Sequence, residues 1–322
     1  MATDVLPDRQ NLDGVFSNTH YKIDFYQREY KWREEQVGTL LDDLFHIFGP
    51  EYKNFQSREP SEKTIEEFRW YYLSTYVTNK EDGKTYVVDG QQRLTTLTLI
   101  LISLHNLASK RELDIKNWIR EKIMGFGPGG VEEFWIGHGK REEPLRRIFK
   151  NNYENFDPSH DLTAQNMLDN FELISDFLNK RLSTEHKLKM FVYYFLLRVV
   201  MIRLNVKSRT DVPMVFEIIN DRGVSLQPHE ILKGKLLSQI DRPEVDPYND
   251  IWEEKIGDLD YKDQADDFFE TYLASRFAKT RNEAQEFGDY YHRLVFQNKY
   301  AKDLQLDETK RVKDFVENEE TY

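Results

Sequence analysis

Val87-Val88-Asp89-Gly90-Gln91-Gln92-Arg93-Leu94-Thr95-Thr96-Leu97 changes its period partway through. Thr85–Asp89 has the β-branched character of a strand. From about Arg93 to Ser109, Leu94, Leu97, Ile100, Leu101, Leu104 and Leu107 recur at helical spacing. A strand therefore passes through a glycine turn into a helix. Just upstream, Trp70–Thr78 is rich in Tyr, Val and Thr and reads as a second strand. Glu81-Asp82-Gly83-Lys84 joins the two with hairpin chemistry, since Asp-Gly tolerates positive φ.

The same turn carries the chemistry. A helix start leaves backbone N–H groups unpaired and a partial positive charge, which together accept an anion such as phosphate. Arg93 adds a planar fork for phosphate oxygens, and Asp89 suits a Mg2+ ion or a water. Gln91 and Gln92 suit positioning a water or reading a base or ribose edge. The P-loop pattern is missing. An ordinary strand–turn–helix in which Asp89 merely caps the helix satisfies the same residues.

Outward from this unit, residues 36–48 predict an amphipathic helix, and 50–67, with Pro50 and Pro60, a loop or short helix. Beyond 110 the pattern turns helical, at about 113–123, 140–150, 162–181 and 185–200. Loops are expected at Gly125–Gly130 and Asn151–Pro158. Val199–Val206 fits either a strand or a helix end. A helix is expected from Pro228 to Ile240, and two or three amphipathic helices over 248–317. The fold class is α+β and mostly helical. Residues 1–110 form a small α/β unit, 111–240 a helical region and 241–322 an acidic helical extension.

The chain has 322 residues and a net charge of −12. From Asp241 onward 12 Lys+Arg face 22 Asp+Glu, a balance of −10; the first 240 residues hold 33 bases and 35 acids. Nonspecific attraction to duplex phosphates usually needs a basic balance, so any DNA contact rests on a local patch. Cysteine is absent, which excludes disulfides, thiol catalysis and Cys-ligated zinc. The N-terminus lacks the pattern of a signal peptide, and no apolar run is long enough to span a bilayer. A soluble, cytoplasmic protein is expected.

Two further stretches stand out. Tyr21-Lys22-Ile23-Asp24-Phe25-Tyr26-Gln27-Arg28-Glu29-Tyr30-Lys31-Trp32-Arg33 packs four bases and five aromatics into 13 residues. That suits base stacking and phosphate clamping, or equally a half-buried strand. Asn220-Asp221-Arg222-Gly223 makes a tight turn, after which Pro228 suits the first turn of a helix. The eight histidines form no metal-binding pattern, and the Gly-x-Ser-x-Gly elbow is missing.

Taken in order, Tyr26-Gln27-Arg28-x-Tyr30-x-Trp32, Asp89-Gly90-Gln91-Gln92-Arg93-Leu94-Thr95-Thr96-Leu97 and Asn220-x-Arg222-Gly223-x-x-Leu226 leading to Lys233 resemble the N-terminal domain of GmrSD-type modification-dependent restriction systems. That family sits in the ParB/sulfiredoxin-like superfamily. The resemblance covers roughly residues 10–240. It implies a ParB-like domain that binds and hydrolyses a nucleoside triphosphate with Mg2+ and couples this to cutting foreign or modified DNA. By position, Asp89, Gln91, Gln92 and Arg93 would be catalytic, with Asp89 on the metal. Tyr26, Gln27, Arg28, Gly90, Thr95, Asn220 and Arg222 would bind the nucleotide. DNA is an implied partner, directly or through a nuclease domain or subunit, and a homodimer is compatible.

The pattern departs from the family at Asp24, where proline is common, at Ser74, where glycine is common, and at Glu230, where aspartate is usual. No His-Asn-His nuclease stretch occurs before Tyr322. The expectation is either a portion of a longer protein or a regulatory subunit that borrows a nuclease. Sulfiredoxin chemistry is excluded, because it needs cysteine. Two rivals share these residues: a ParB-like nuclease acting directly on DNA, and a non-enzymatic module whose acidic helices dock a basic partner.

Overall fold

The computed structural model describes residues 5–17, 19–23, 29–127, 129–137, 139–153, 156–158, 161–208, 212, 215, 227–262, 264–288, 290–297, 300, 304–306 and 308–317, with only the backbone at 242 and 261. These divide into two compact units, one up to Ser208 and one after it. None of the described helices is long and apolar enough to cross a membrane.

The first unit runs β1 (Val5–Asn11), α1 (Leu12–Val15), β2 (Tyr21–Ile23), α2 (Glu34–Phe55), α3 (Glu62–Glu66), β3 (Tyr71–Glu81), β4 (Lys84–Asp89), α4 (Gln91–Lys110) and α5 (Ile115–Ile123). It continues with β5 (Met124–Phe126), β6 (Glu132–Phe134), a 3-10 turn at Gly139–Arg141, α6 (Glu142–Phe149), α7 (Leu162–Arg181), α8 (Glu185–Arg198) and β7 (Val199–Val206). Five strands form one mixed sheet in the order β1-β7-β3-β4-β2. The β1–β7 and β3–β4 pairs are antiparallel; β7–β3 and β4–β2 are parallel. This is the α+β, mostly helical class that the periodicities indicate.

The β3–β4 hairpin turns where Asp82 and Gly83 stand, with φ of 50° and 75°. Two consecutive positive φ values match the right-handed twist of the flanking strands. Val199–Val206 resolves as a strand, because both its edges are paired, with β1 and β3. Val5–Asn11 is a strand that its polar sequence does not announce. It lies at the sheet edge, where Pro7 and exposed polar side chains are tolerated.

Three expectations need correction. The helix read over 36–48 continues through Pro50 to Phe55, because Glu51 is held by Arg69 at 2.6 Å and Tyr52 and Phe55 pack on the core. The loop expected at Gly125–Gly130 is narrower, since Met124–Phe126 pairs with Glu132–Phe134. Finally, α4 buries more than the one face that Leu94, Leu97, Ile100, Leu101, Leu104 and Leu107 line. Leu99 and Ile102 are as buried as Leu94, Leu97 and Leu101, as expected of a helix enclosed on all sides. That enclosure anchors the turn at its start.

The second unit holds α9 (Pro228–Leu237), α10 (Arg242–Tyr261), α11 (Ala265–Phe277), α12 (Arg281–Glu286), α13 (Tyr291–Leu294) and α14 (Thr309–Glu317). The acidic stretch is thus more finely divided than two or three helices. Several of its acids face inward. Lys233 of α9 bonds Glu253 of α10 at 2.5 Å. His229 lies between two carboxylates, Nε2 at 3.3 Å from Asp260 and Nδ1 at 3.1 Å from Asp266. Asp266 also accepts from the His229 backbone N–H at 2.7 Å and the Tyr291 hydroxyl at 2.5 Å.

Burial opposes charge on His229, but the hydrogen bonds to Asp260 and Asp266 outweigh it and push its pKa from 6.5 up to about 9. A raised histidine pKa stabilises the fold fully below the unfolded value of 6.5. Above that, its contribution falls by roughly 1.4 kcal/mol per pH unit and is lost as pH passes through the folded value. The urea midpoint of the second unit is therefore expected to drop between pH 6.5 and 9, with the drop missing in His229→Gln. An equal drop in both proteins would contradict the clamp.

Candidate functional site

β4 delivers Asp89 to its C-terminal end, Gly90 turns the chain, and α4 starts at Gln91. Gly90 has φ of 100°, and a Cβ there would lie 2.7 Å from the Cβ of Tyr76 and 3.3 Å from its Cα. Only glycine fits this turn. Tyr76 cannot easily retreat, since its hydroxyl bonds Gln10 at 2.5 Å and Tyr21 at 3.2 Å. With no side chain on Gly90, the helix start has no side-chain cap from its N-cap residue.

Asp89 and Arg93 form an ion pair at 3.2 Å, one helical turn apart. Their side chains stay partly open, 16% and 26% exposed. Gln91 is buried, and its Oε1 accepts from Nη2 of Arg141 at 2.5 Å. Arg141, at the end of the 3-10 turn, is itself only 5% exposed. A second guanidinium thus reaches the turn from 50 residues away.

Gln92 does something different. Its Oε1 accepts from the backbone N–H of Lys31 at 2.9 Å and of Trp32 at 3.3 Å, and its Nε2 donates to the Glu29 carbonyl at 2.7 Å. Residues 29–32 belong to no helix or strand, so side chains must satisfy their backbone. α7 completes the set: Thr163 accepts from Tyr30 N–H at 3.0 Å, Asn166 donates to the Tyr30 carbonyl and Asn170 to the Trp32 carbonyl, each at 2.7 Å. The Tyr30 hydroxyl is shared between Thr96 at 2.8 Å and Asn170 at 3.1 Å. Burial pushes its pKa up to about 12, so it stays a neutral donor. Leaving one of these buried acceptors unsatisfied costs about 1–3 kcal/mol.

A model of the GmrSD restriction endonuclease N-terminal domain matches residues 12–237, which hold both this turn and the 29–32 brace. The chain belongs to that family. No match is found among curated proteins. The GmrSD match ends at Leu237, the last residue of α9, so the acidic helices lie beyond it.

Within this GmrSD N-terminal domain, Asp89, Gly90, Gln91 and Arg93 gather at one turn, and Gln92 stands beside them with its carboxamide bonded to residues 29–32. Thr95 is wholly buried in α4. Tyr26, Gln27, Arg28, Asn220 and Arg222 lie outside the described residues. At the start of α9, Glu230 accepts from the Gln227 N–H at 2.8 Å. Four contributors escape the sequence reading. Thr163, Asn166 and Asn170 recur at helical spacing as a polar stripe within an otherwise apolar pattern, which is a usable signal. Arg141 sits in the unremarkable run Lys140-Arg141-Glu142-Glu143 and carries none.

Proposed function

We propose that this GmrSD N-terminal domain binds a nucleoside triphosphate over the Gly90–Arg93 turn and hydrolyses it with Mg2+, as the nucleotide-driven part of a DNA restriction system. The observation that carries the reading is the Asp89–Arg93 pair, partly open at a helix start that no N-cap side chain closes. Backbone N–H groups and the guanidinium suit phosphate oxygens. Arg93 has five donors in its fork, so it can stay on Asp89 and still offer N–H groups to a phosphate. Phosphoryl transfer asks a protein mainly for such positioning and charge stabilisation.

Asp89 fits Mg2+, which is commonly held by one or two carboxylates together with substrate phosphates. When bound, the ion would offset charge on the β- and γ-phosphates. Gln91 belongs to the hydrolysis site, whereas Gln92 braces its wall. Arg28, with Tyr26 and Gln27, joins the reading through the family motif, as do Asn220 and Arg222. DNA would be reached through a nuclease domain or subunit, or directly at a local patch, in the cytoplasm.

Phosphate release by the full chain tests this. Hydrolysis that needs Mg2+, stops with EDTA and responds to DNA is expected. Nicking of DNA without nucleotide, and no phosphate release from any of the four nucleoside triphosphates, would replace it with the direct-nuclease reading.

A further inference from the structure

We propose that unpaired bases of DNA stack on the sheet face that carries Arg9, Trp70 and Tyr72. The proposal rests on the DNA partner in the reading above and gives it a place on this chain, among residues outside the nucleotide site.

Residues paired across a sheet share a face, and neighbours along a strand alternate between faces. Arg9 pairs with Ile202, Asn11 with Val200, Tyr72 with Val200 and Thr75 with Ile202. These residues therefore share one face of β1, β7 and β3, and none is an acid. The Tyr72 hydroxyl meets Thr75 Oγ1 there at 2.8 Å. Asp8 turns to the opposite face, where Arg203 holds it at 2.9 Å. Trp70 comes just before β3, and the Arg9 guanidinium lies 5.6 Å from its ring centroid.

Both rings stay open to water, Trp70 53% and Tyr72 44% exposed, although rings of this size gain most from burial. Among the described residues no carboxylate pairs with Arg9. The same holds for Arg198, whose Nε and Nη2 hold the Phe68 carbonyl two residues before Trp70. Indole, phenol and guanidinium are flat groups on which bases of any identity stack, and acid-free cations meet phosphates. A double helix hides its base faces, so the fit is to an unpaired stretch. In a chain of net charge −12, a polyanion is held where acids are missing, and this face is such a place.

The test is fluorescence anisotropy of labelled oligothymidylate with the full chain, without nucleotide, compared with Arg9→Gln, Trp70→Ala, Trp70→Phe and Tyr72→Ala. The unaltered chain should bind it saturably, and more tightly than a duplex of the same length. Trp70→Ala and Tyr72→Ala should each weaken binding about fivefold or more, while Trp70→Phe, which keeps a ring, loses less. Arg9→Gln should lower the slope of log affinity against log salt by about 0.7. The three side chains are exposed, so melting should stay within about 2 °C of the unaltered chain. A merely structural Trp70 would move melting and leave affinity alone. Equal affinity in Trp70→Ala and the unaltered chain would overturn the site and leave DNA standing as a partner. Failure of the unaltered chain to bind the oligonucleotide would overturn the proposal as well, with the nucleotide reading still decided separately by phosphate release.

Discussion

Arg93→Ala should abolish nucleotide turnover, by roughly 10²–10³-fold in kcat, while leaving the fold intact. The two halves of that expectation come from different features of one residue. Its pairing with Asp89 is a partly exposed i,i+4 ion pair, the kind worth about 0.3–0.5 kcal/mol, so melting should barely move. Its catalytic share is larger, because a guanidinium's planar fork at a helix start has no substitute of equal geometry. Arg93→Lys keeps the charge without the planar fork and should recover only part of the rate. Normal hydrolysis by Arg93→Ala would remove this arginine from the mechanism.

Gly90→Ala should produce the largest loss of stability at the turn, about 3 kcal/mol, or roughly 10 °C in melting temperature for a unit of this size. Two penalties combine: a left-handed φ of 100° and a Cβ 2.7 Å from that of Tyr76. Relief would require moving Tyr76, whose hydroxyl is tied to Gln10 and Tyr21 across the sheet. Turnover should fall as well, since Arg93 and Gln91 take their places from this turn. A melting temperature within 2 °C of the unaltered chain would show that the turn is more pliable than its geometry implies.

Much of this arrangement is legible in the amino acids because local chemistry decides it. Asp82-Gly83 dictates the hairpin, and the change of period after Asp89 dictates the strand-to-helix junction. Where tertiary context decides, the pattern falls silent. Val5–Asn11 is polar and contains Pro7, and becomes a strand only because β7 offers it an edge. Val199–Val206 has neither period and is settled by partners on both sides. The apolar stripe on α4 reads as one face, yet the helix is enclosed, with Leu99 and Ile102 buried beside Thr95, Thr96, Thr98 and Ser103 on its other sides.

The site divides in the same way. Asp89, Gly90, Gln91 and Arg93 are adjacent in sequence and announce themselves together. Gln92, next in line, has its carboxamide bonded to the backbone of residues 29–32, a use visible only once that segment lies against α4. Arg141 arrives from a charged run that resembles any solvated surface. The charge balance of the acidic extension says nothing of where its acids point, and Glu253, Asp260 and Asp266 turn to Lys233 and His229.

Equilibrium dialysis of labelled nucleoside triphosphate with Mg2+ against the full chain addresses the central claim most directly. Saturable binding of one nucleotide per chain is expected, displaced by inorganic triphosphate and weakened at least tenfold in Arg93→Ala. Failure of every nucleoside triphosphate to bind saturably, or binding that inorganic triphosphate leaves undisturbed, would contradict it.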